Sequence, residues 1–417
     1  MDFAHSPRSR ELAETLSRFM REEVDPAEKV VADALTGSGD WRHWRQPAVM
    51  ETLKAKAKTA GLWNLFLSEP EYGAGLSNVD YAPLAEIMGH SFIAPEIFNC
   101  NAPDTGNMEV LLRYGSDMHK TRWLKPLLDG DIRSAFCMTE PDVASSDATN
   151  MQATATIDGD HIVLNGRKWW STGIGHPHCR VLIFMGLSHH DAPPHQRHTM
   201  VVCPLDAPGV KVERMLPVFH TYDEPSGHGE VSFTDVRLPL DHVILGTGRG
   251  FEIAQGRLGP GRIHHCMRAI GASERALSLL CERASARVAF GKPLIELGGN
   301  KDIVADLRMG IEQARLLTLK AAWLIDTQGV KAAMSEISQI KVIVPNLAQK
   351  TADAAVQIHG AAGLSNDFAL TALFANARIL RLADGPDEVH RGLVAKIEMR
   401  AQAAAMAAKK PASGSHA

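Results

Sequence analysis

The period of the hydrophobic pattern changes twice along this chain of 417 residues, and that order restricts the fold more than any single motif does. Up to about residue 133 apolar residues recur at helical spacing. Residues 11–35 and 47–59 read as amphipathic helices, the turn-rich GLWNLFLSEPEYGAGLSNVD follows, and further helices are predicted over 81–91, 104–114 and 120–128. From Ser134 to Leu245 the period falls to two. HIVLNGRKWW, RVLIFMGL, HTMVVCPL, VKVERML and GEVSFTDVRL are parted by turn clusters such as DGD and DAPG. From Phe251 helices return, predicted over 267–288, 302–327, 332–360 and 370–382. Four long stretches with short links point to a four-helix bundle. The expected class is α+β: an N-terminal helical domain (1–133), a middle antiparallel β domain (134–245), a C-terminal helical bundle (246–402) and a flexible tail (403–417). Strands and helices do not alternate, which excludes a doubly wound nicotinamide-binding sheet.

Composition narrows the partners. A net charge of −4 leaves no electrostatic footprint for nucleic acid. No apolar run reaches the roughly 18 residues of a membrane span, and the polar start MDFAHSPRSRELAETL lacks a signal-peptide core. The six cysteines form no CxxC pair, a usage that fits a reducing, cytoplasmic setting.

Three apparent motifs fail on spacing. Gly246-Thr-Gly248-Arg-Gly250 has Phe251 in its third glycine position and no βαβ unit around it, so it reads as an interdomain joint. His189, His190, His195 and His198 lie in a proline-rich stretch without metal-ligand spacing and read as a solvated loop. His264 and His265 are adjacent on a helix and point apart. No metal site is expected.

Two stretches carry chemistry. In FCMTEPDVASSDATN, from Phe136, an apolar run gives way to hydroxyl residues and an acid, a loop able to offer N–H and O–H groups to a polar ring edge or a phosphate, or an ordinary turn. In ILRLADGPDEVHR (residues 379–391) one helical pattern stops at Ala383 and another opens after Pro386. Asp384 or Asp387 there is a helix N-cap, or Asp384 is a general base at the break.

In motif order the chain resembles the acyl-CoA dehydrogenase family from near Gly61 to about Arg400. MTEPDVASSDATN resembles its TEP…GSD flavin segment, NGRKWWST its second flavin segment, RVAFGKPL its R-x-x-F-G-K-P-L, QIHGAAG its Q-x-x-G-G-x-G, and RLADGPDEVHR the segment with the catalytic carboxylate. The wording of several resembles a subfamily whose longer members are fused to a kinase-like phosphotransferase domain, absent from these 417 residues.

The resemblance implies FAD as cofactor, held by Phe136, Met138, Thr139, Ser145, Ser146, Trp170, Ser171 and Thr172, with Pro386 and Glu388 beside it. Arg287, Phe290, Gln357, Gly360 and Ala361 would reach the FAD of a neighbouring subunit, in a homodimer or homotetramer. Ser146, Arg262 and Gly385 would meet the acyl-CoA, and Asp384 would take its α-proton while hydride leaves Cβ. An electron-transferring flavoprotein would receive the electrons, in fatty acid β-oxidation. The departures are Ser145 where glycine is usual, one extra residue in the first loop, Gly298 for a flavin-binding glutamine, Ala361 for a glycine, and Ala383-Asp384-Gly385-Pro386 for Tyr-Glu-Gly-Thr. Three other readings are compatible with this pattern: elimination from a 4-hydroxy- or 4-phosphoacyl-CoA, an oxidase using an aspartate base, and a flavin-free assembly subunit.

Overall fold

Ser6 begins the first helix by accepting a hydrogen bond from Ser9 N, with Pro7 at the position where a missing N–H costs nothing. The structure is a computed structural model and describes residues 3–409. It divides into two compact units that part between Ala272 and Ser273.

The first unit opens with helices α1 (Pro7–Phe19), α2 (Asp25–Ala34), α3 (Ala48–Thr59), α4 (Asn78–Met88), α5 (Ala94–Ile97), α6 (Asp104–Tyr114), α7 (Asp117–His119) and α8 (Lys125–Asp129). Residues 11–35 read as one stretch because α1 and α2 are joined through a π turn, Met20–Val24. A second π turn, Lys120–Leu124, precedes α8. Each comes just before a proline, Pro26 and Pro126, and the widened turn accommodates the ring that a tight helix would exclude.

The strands are β1 (Arg133–Cys137), β2 (Thr154–Asp158), β3 (His161–Thr172), β4 (Cys179–Leu187), β5 (His198–Pro204), β6 (Val210–Met215) and β7 (His228–Pro239). They form one sheet in the order β1-β4-β2-β3-β7-β6, with β5 also on β4. Four of its six pairings are antiparallel; β1 on β4 and the single contact of β2 with β4 are parallel, a correction to the wholly antiparallel expectation. Ala135, Leu164, Leu182, Phe184, Val201 and Phe233 fill its buried face. Polar groups tie helices to sheet: Asp104 Oδ1 accepts from Ser134 N at 2.7 Å, and its Oδ2 lies 3.1 Å from the buried Arg133 guanidinium.

Helix α9 (Gly250–Ala286) starts well before the predicted residue 267. Its glycines are points of close approach: a Cβ on Gly256 would lie 2.1 Å from Tyr114 Oη, and one on Gly271 1.9 Å from Glu86 O. His198 is a correction to the solvated-loop reading. It opens β5, is fully buried, and its Nε2 lies 3.2 Å from Met151 O, because the sheet register begins there.

The second unit continues α9 into the hairpin β8 (Val288–Ala289) and β9 (Lys292–Pro293), then α10 (Asn300–Gln328), α11 (Met334–His359), α12 (Leu370–Leu380) and α13 (Asp387–Lys409). Phe290 and Gly291 both take positive φ, the backbone a two-residue hairpin turn requires. Leu307, Ile311 and Ala314 of α10, Ile337, Ile340 and Val344 of α11, and Leu373 and Ala377 of α12 form the core side of each helix. The bundle gains a helix over the four predicted, since α13 reaches Lys409; residues 403–409 of the expected flexible tail are therefore helical, in line with their alanine-rich sequence. The rest of that tail lies outside the described residues. Among the described residues, no helix is long and apolar enough to cross a membrane.

Candidate active site

In the first unit the site residues come from the end of β1, the loop after it and the end of β3. Alternation along β1 leaves Phe136 and Met138 half-buried around the fully buried Cys137. In β3 a bulge between Lys168 and Ser171 breaks the alternation and leaves Trp170 exposed and Thr172 half-buried around a fully buried Ser171. Trp169 N donates to Thr139 O at 2.9 Å and joins the two segments. Trp170 has φ 51° and leaves 42% of its surface open. Thr172 Oγ1 shares a 2.9 Å hydrogen bond with His228 Nδ1, and the His228 ring lies 5.7 Å from that of Trp170. Burial holds His228 below the ordinary imidazole pKa.

Beneath this surface, Lys168 Nζ donates to Met138 O at 2.9 Å and to Glu140 Oε1 at 2.7 Å. Glu140 in turn accepts from Gln152 N and Ala153 N, so both ends of the loop hang on one buried ion pair. Burial lowers the Lys168 pKa against the opposing pull of Glu140. Ser145 Oγ accepts from Glu140 N at 2.9 Å and thereby closes the loop from inside. Ser146 and Thr139 remain exposed. The bulge turns the Ser171 hydroxyl inward, which leaves its backbone as the group it can offer a ligand. The Arg257 guanidinium stacks 3.9 Å from the centre of the Phe136 ring and donates to Asn107 Oδ1 at 3.2 Å. Arg262 is half-buried on α9.

In the second unit the break between α12 and α13 builds a rigid turn. Asp384 has φ 56° and Gly385 φ 102°. A Cβ at residue 385 would lie 2.9 Å from His390 Nε2, and that nitrogen is itself 3.2 Å from Asp384 O. Lys341 Nζ, buried on α11, donates to Leu380 O at 2.6 Å and Ala383 O at 2.8 Å. Asp387 is the first residue of α13, where the sequence places the opening of the new helical run. Its Oδ2 is held by Arg381 Nε at 2.9 Å and Asn346 Nδ2 at 3.0 Å and the side chain is buried, so it serves the turn. Asp384 and Pro386 are half-buried and Glu388 is exposed.

Five further candidates in this unit are exposed or half-buried at its surface. Arg287 lies at the end of α9, and Phe290, 97% exposed, forms the hairpin tip. Gln357 is in the last turn of α11, with Gly360 and Ala361 just beyond it. Gly298, at the position of the missing glutamine, takes φ 55°.

Motif reasoning does not pick out Lys341, His390, Lys168 or Glu140. A signal exists for one of them: Lys341 occupies a core position among Ile337, Ile340 and Val344, where an ammonium is out of place unless it has a task. Among the described residues no group of three or more His, Cys, Asp or Glu side chains is arranged to hold a metal ion.

The first unit thus presents an exposed indole, hydroxyls and strand-end backbone, and the second a carboxylate on a left-handed turn. Comparison with known proteins gives the family. The family models for the N-terminal, middle and C-terminal domains of acyl-CoA dehydrogenase match residues 6–131, 135–236 and 248–399. FadE2 of Mycobacterium tuberculosis, named as a probable acyl-CoA dehydrogenase, is 49% identical over 98% of this chain and 99% of that protein. Acyl-CoA dehydrogenase family member 11 of Gallus gallus is 52% identical over 98% of the chain, and family member 10 of Mus musculus 54% over 95%. The chain spans 52% and 37% of those two proteins, about half or less of their length. A solved structure from Mycobacterium abscessus, described as a putative acyl-CoA dehydrogenase, is 60% identical with a TM-score of 0.93, over 96% of this chain and 100% of that one. The chain belongs to the acyl-CoA dehydrogenase family.

Proposed function

We propose that this protein is an FAD-dependent oxidoreductase that desaturates an acyl-CoA thioester to its 2-enoyl-CoA, with Asp384 as the base. The observation that carries this reading is the turn at 384–385. It fixes a half-buried carboxylate and the backbone N–H of the same residue by a positive φ, a neighbouring glycine and three hydrogen bonds from Lys341 and His390.

The chemistry follows from the thioester. Its α-proton is a weak acid, and the charge left on removal collects on the carbonyl oxygen beside the α-carbon. A residue that offers a carboxylate to the proton and its own N–H to the oxygen serves both needs at once. Asp387 is the poorer candidate, since it is buried and its Oδ2 is held by Arg381 and Asn346.

The first unit's surface fits a flavin. A half-open indole suits a flat apolar ring, while the Thr139 and Thr172 hydroxyls and the backbone of Met138 and Ser171 suit its polar edge. When bound, the flavin supplies the two-electron acceptor for the hydride leaving Cβ. Arg262 and Ser146 are the residues we assign to the acyl-CoA. The placement of Arg287, Phe290, Gln357, Gly360 and Ala361 at the surface supports their serving a second copy, in a dimer or tetramer, which sedimentation would measure. An electron-transferring flavoprotein is the proposed acceptor.

Aspartate reaches roughly 1.5 Å less far than glutamate. The shorter base favours one refinement, a substrate whose substituent, such as a 4-hydroxy or 4-phosphoryl group, brings its α-carbon closer. Anaerobic addition of a panel of acyl-CoAs, plain and 4-substituted, to the purified yellow protein tests the reading. Bleaching by a thioester that is lost in Asp384→Asn supports it; bleaching that survives in the mutant removes Asp384 as base. Rapid reoxidation by air with peroxide release would instead assign an oxidase.

A further inference from the structure

We propose that Lys341 is a positioning residue that strengthens the Asp384 N–H as an oxyanion donor by hydrogen-bonding to the carbonyl of the same peptide unit. This rests on the reading of residue 384 given above.

The Ala383 carbonyl and the Asp384 N–H are two ends of one amide. Lys341 Nζ lies 2.8 Å from Ala383 O. A donor on an amide oxygen draws electron density from the nitrogen and makes the opposite N–H a stronger donor, by about 10–30% per bond in a chain of bonds. A charged donor does this more strongly than a neutral one. The ammonium therefore acts on the thioester oxygen through one peptide, without touching substrate.

Helix capping alone does not account for this lysine. Leu380 O, its other acceptor at 2.6 Å, is a carbonyl at the end of α12 of the kind that caps ordinarily satisfy. A neutral amide could satisfy it with far less desolvation than an ammonium buried to 1% exposure among Ile337, Ile340 and Val344. The other charges at the turn are engaged with one another: Arg381 and Asp387 form a 2.9 Å pair. His390 lies on the carbonyl of Asp384, at the far side of that residue from the peptide Lys341 touches.

The test uses the holoenzyme and acetoacetyl-CoA, a probe that loses its C2 proton without oxidation. Its bound enolate is read by near-ultraviolet absorbance at fixed pH. Lys341→Met, Lys341→Gln and Lys341→Arg are compared, each alone and with Asp384→Asn. We expect Met and Gln to lower the ionisation constant of the bound probe about tenfold, less than the roughly 10²–10³ for deleting an oxyanion donor outright. With the plain acyl-CoA substrate, kcat should fall in step while KM moves less than about threefold, and Arg should restore most of both. A wild-type ionisation constant in Lys341→Gln overturns the proposal, as does a stably folded Lys341→Arg no better than Met. If Met fails to fold, Gln and Arg decide. Should Asp384→Asn retain turnover, the base assignment falls, yet the probe still reports whether Lys341 acts through the peptide. Should Asp384→Asn be inactive with the probe indifferent to Lys341, only the Lys341 proposal falls.

Discussion

Lys168 Nζ lies 2.7 Å from Glu140 Oε1, and both side chains are buried. That pair anchors the start of the 138–153 loop through Met138 O and its end through the amides of Gln152 and Ala153. Glu140→Gln keeps the shape but leaves an ammonium buried without its counter-charge. Urea denaturation should show a loss of about 3–5 kcal/mol, and the purified protein should carry less flavin. Adding Lys168→Met to Glu140→Gln should recover part of the stability, because it removes the stranded charge.

Gly385 allows a backbone that a side chain would resist. Its φ is 102°, and a methyl group placed on its Cα would stand 2.9 Å from His390 Nε2. Gly385→Ala should lose about 1–3 kcal/mol by thermal melting, with a larger effect on kcat than on KM. Gly392→Ala is the contrasting case. It lies in α13 with nothing within 4 Å of its Cβ direction, and should gain about 0.4–1 kcal/mol.

Asp384→Glu restores the length usual in this family yet extends a carboxylate that the turn holds rigidly. With the natural substrate, kcat/KM should fall by about 10²-fold, the sensitivity expected for an ångström-scale misplacement. An unchanged or improved value with an unsubstituted acyl-CoA would show that the pocket has room for the longer base and that substrate placement does not require aspartate.

Two buried groups in the first unit set opposite pH dependences. Burial raises Glu109 to about 7, against the nearby Arg113 that pulls it down. Its folded pKa exceeds the unfolded value near 4.5, so its contribution is complete below about pH 4.5 and lost as pH rises through about 7. Glu109→Gln should therefore flatten the stability profile across that window by roughly 3 kcal/mol. Burial lowers His264 to about 3, where its ring packs edge-on to Tyr81 at 4.9 Å. That contribution is complete above about pH 6.5 and lost as pH falls toward 3, so His264→Phe should resist acid unfolding better than the parent protein. Denaturant titrations between pH 3 and 8 check both.

Much of this arrangement is legible from residue order. The α, β, α succession follows from two changes of hydrophobic period, since a period of 3.6 and a period of 2 cannot share one backbone. The break at 379–391 is equally plain, because Gly385 and Pro386 punctuate two apolar helical runs. Other features are hidden by the same local rules. Gly256, Gly261 and Gly271 look like helix breakers, yet α9 passes through all three; for Gly256 and Gly271 the reason is a neighbouring tyrosine or backbone that leaves no room for a Cβ. The alanine-rich segment before Lys409 reads as low complexity and folds as helix.

The sequence by itself determined the element types and the helix break at Ala383-Asp384-Gly385-Pro386, because each depends on spacing within a few residues. Only the tertiary structure decided which charges meet. Lys341 is 42 residues from the carbonyl it holds, and Lys168 is 28 from Glu140. Such partners are chosen by how helices and strands pack, where burial makes an unpaired charge costly, and no local pattern records that choice.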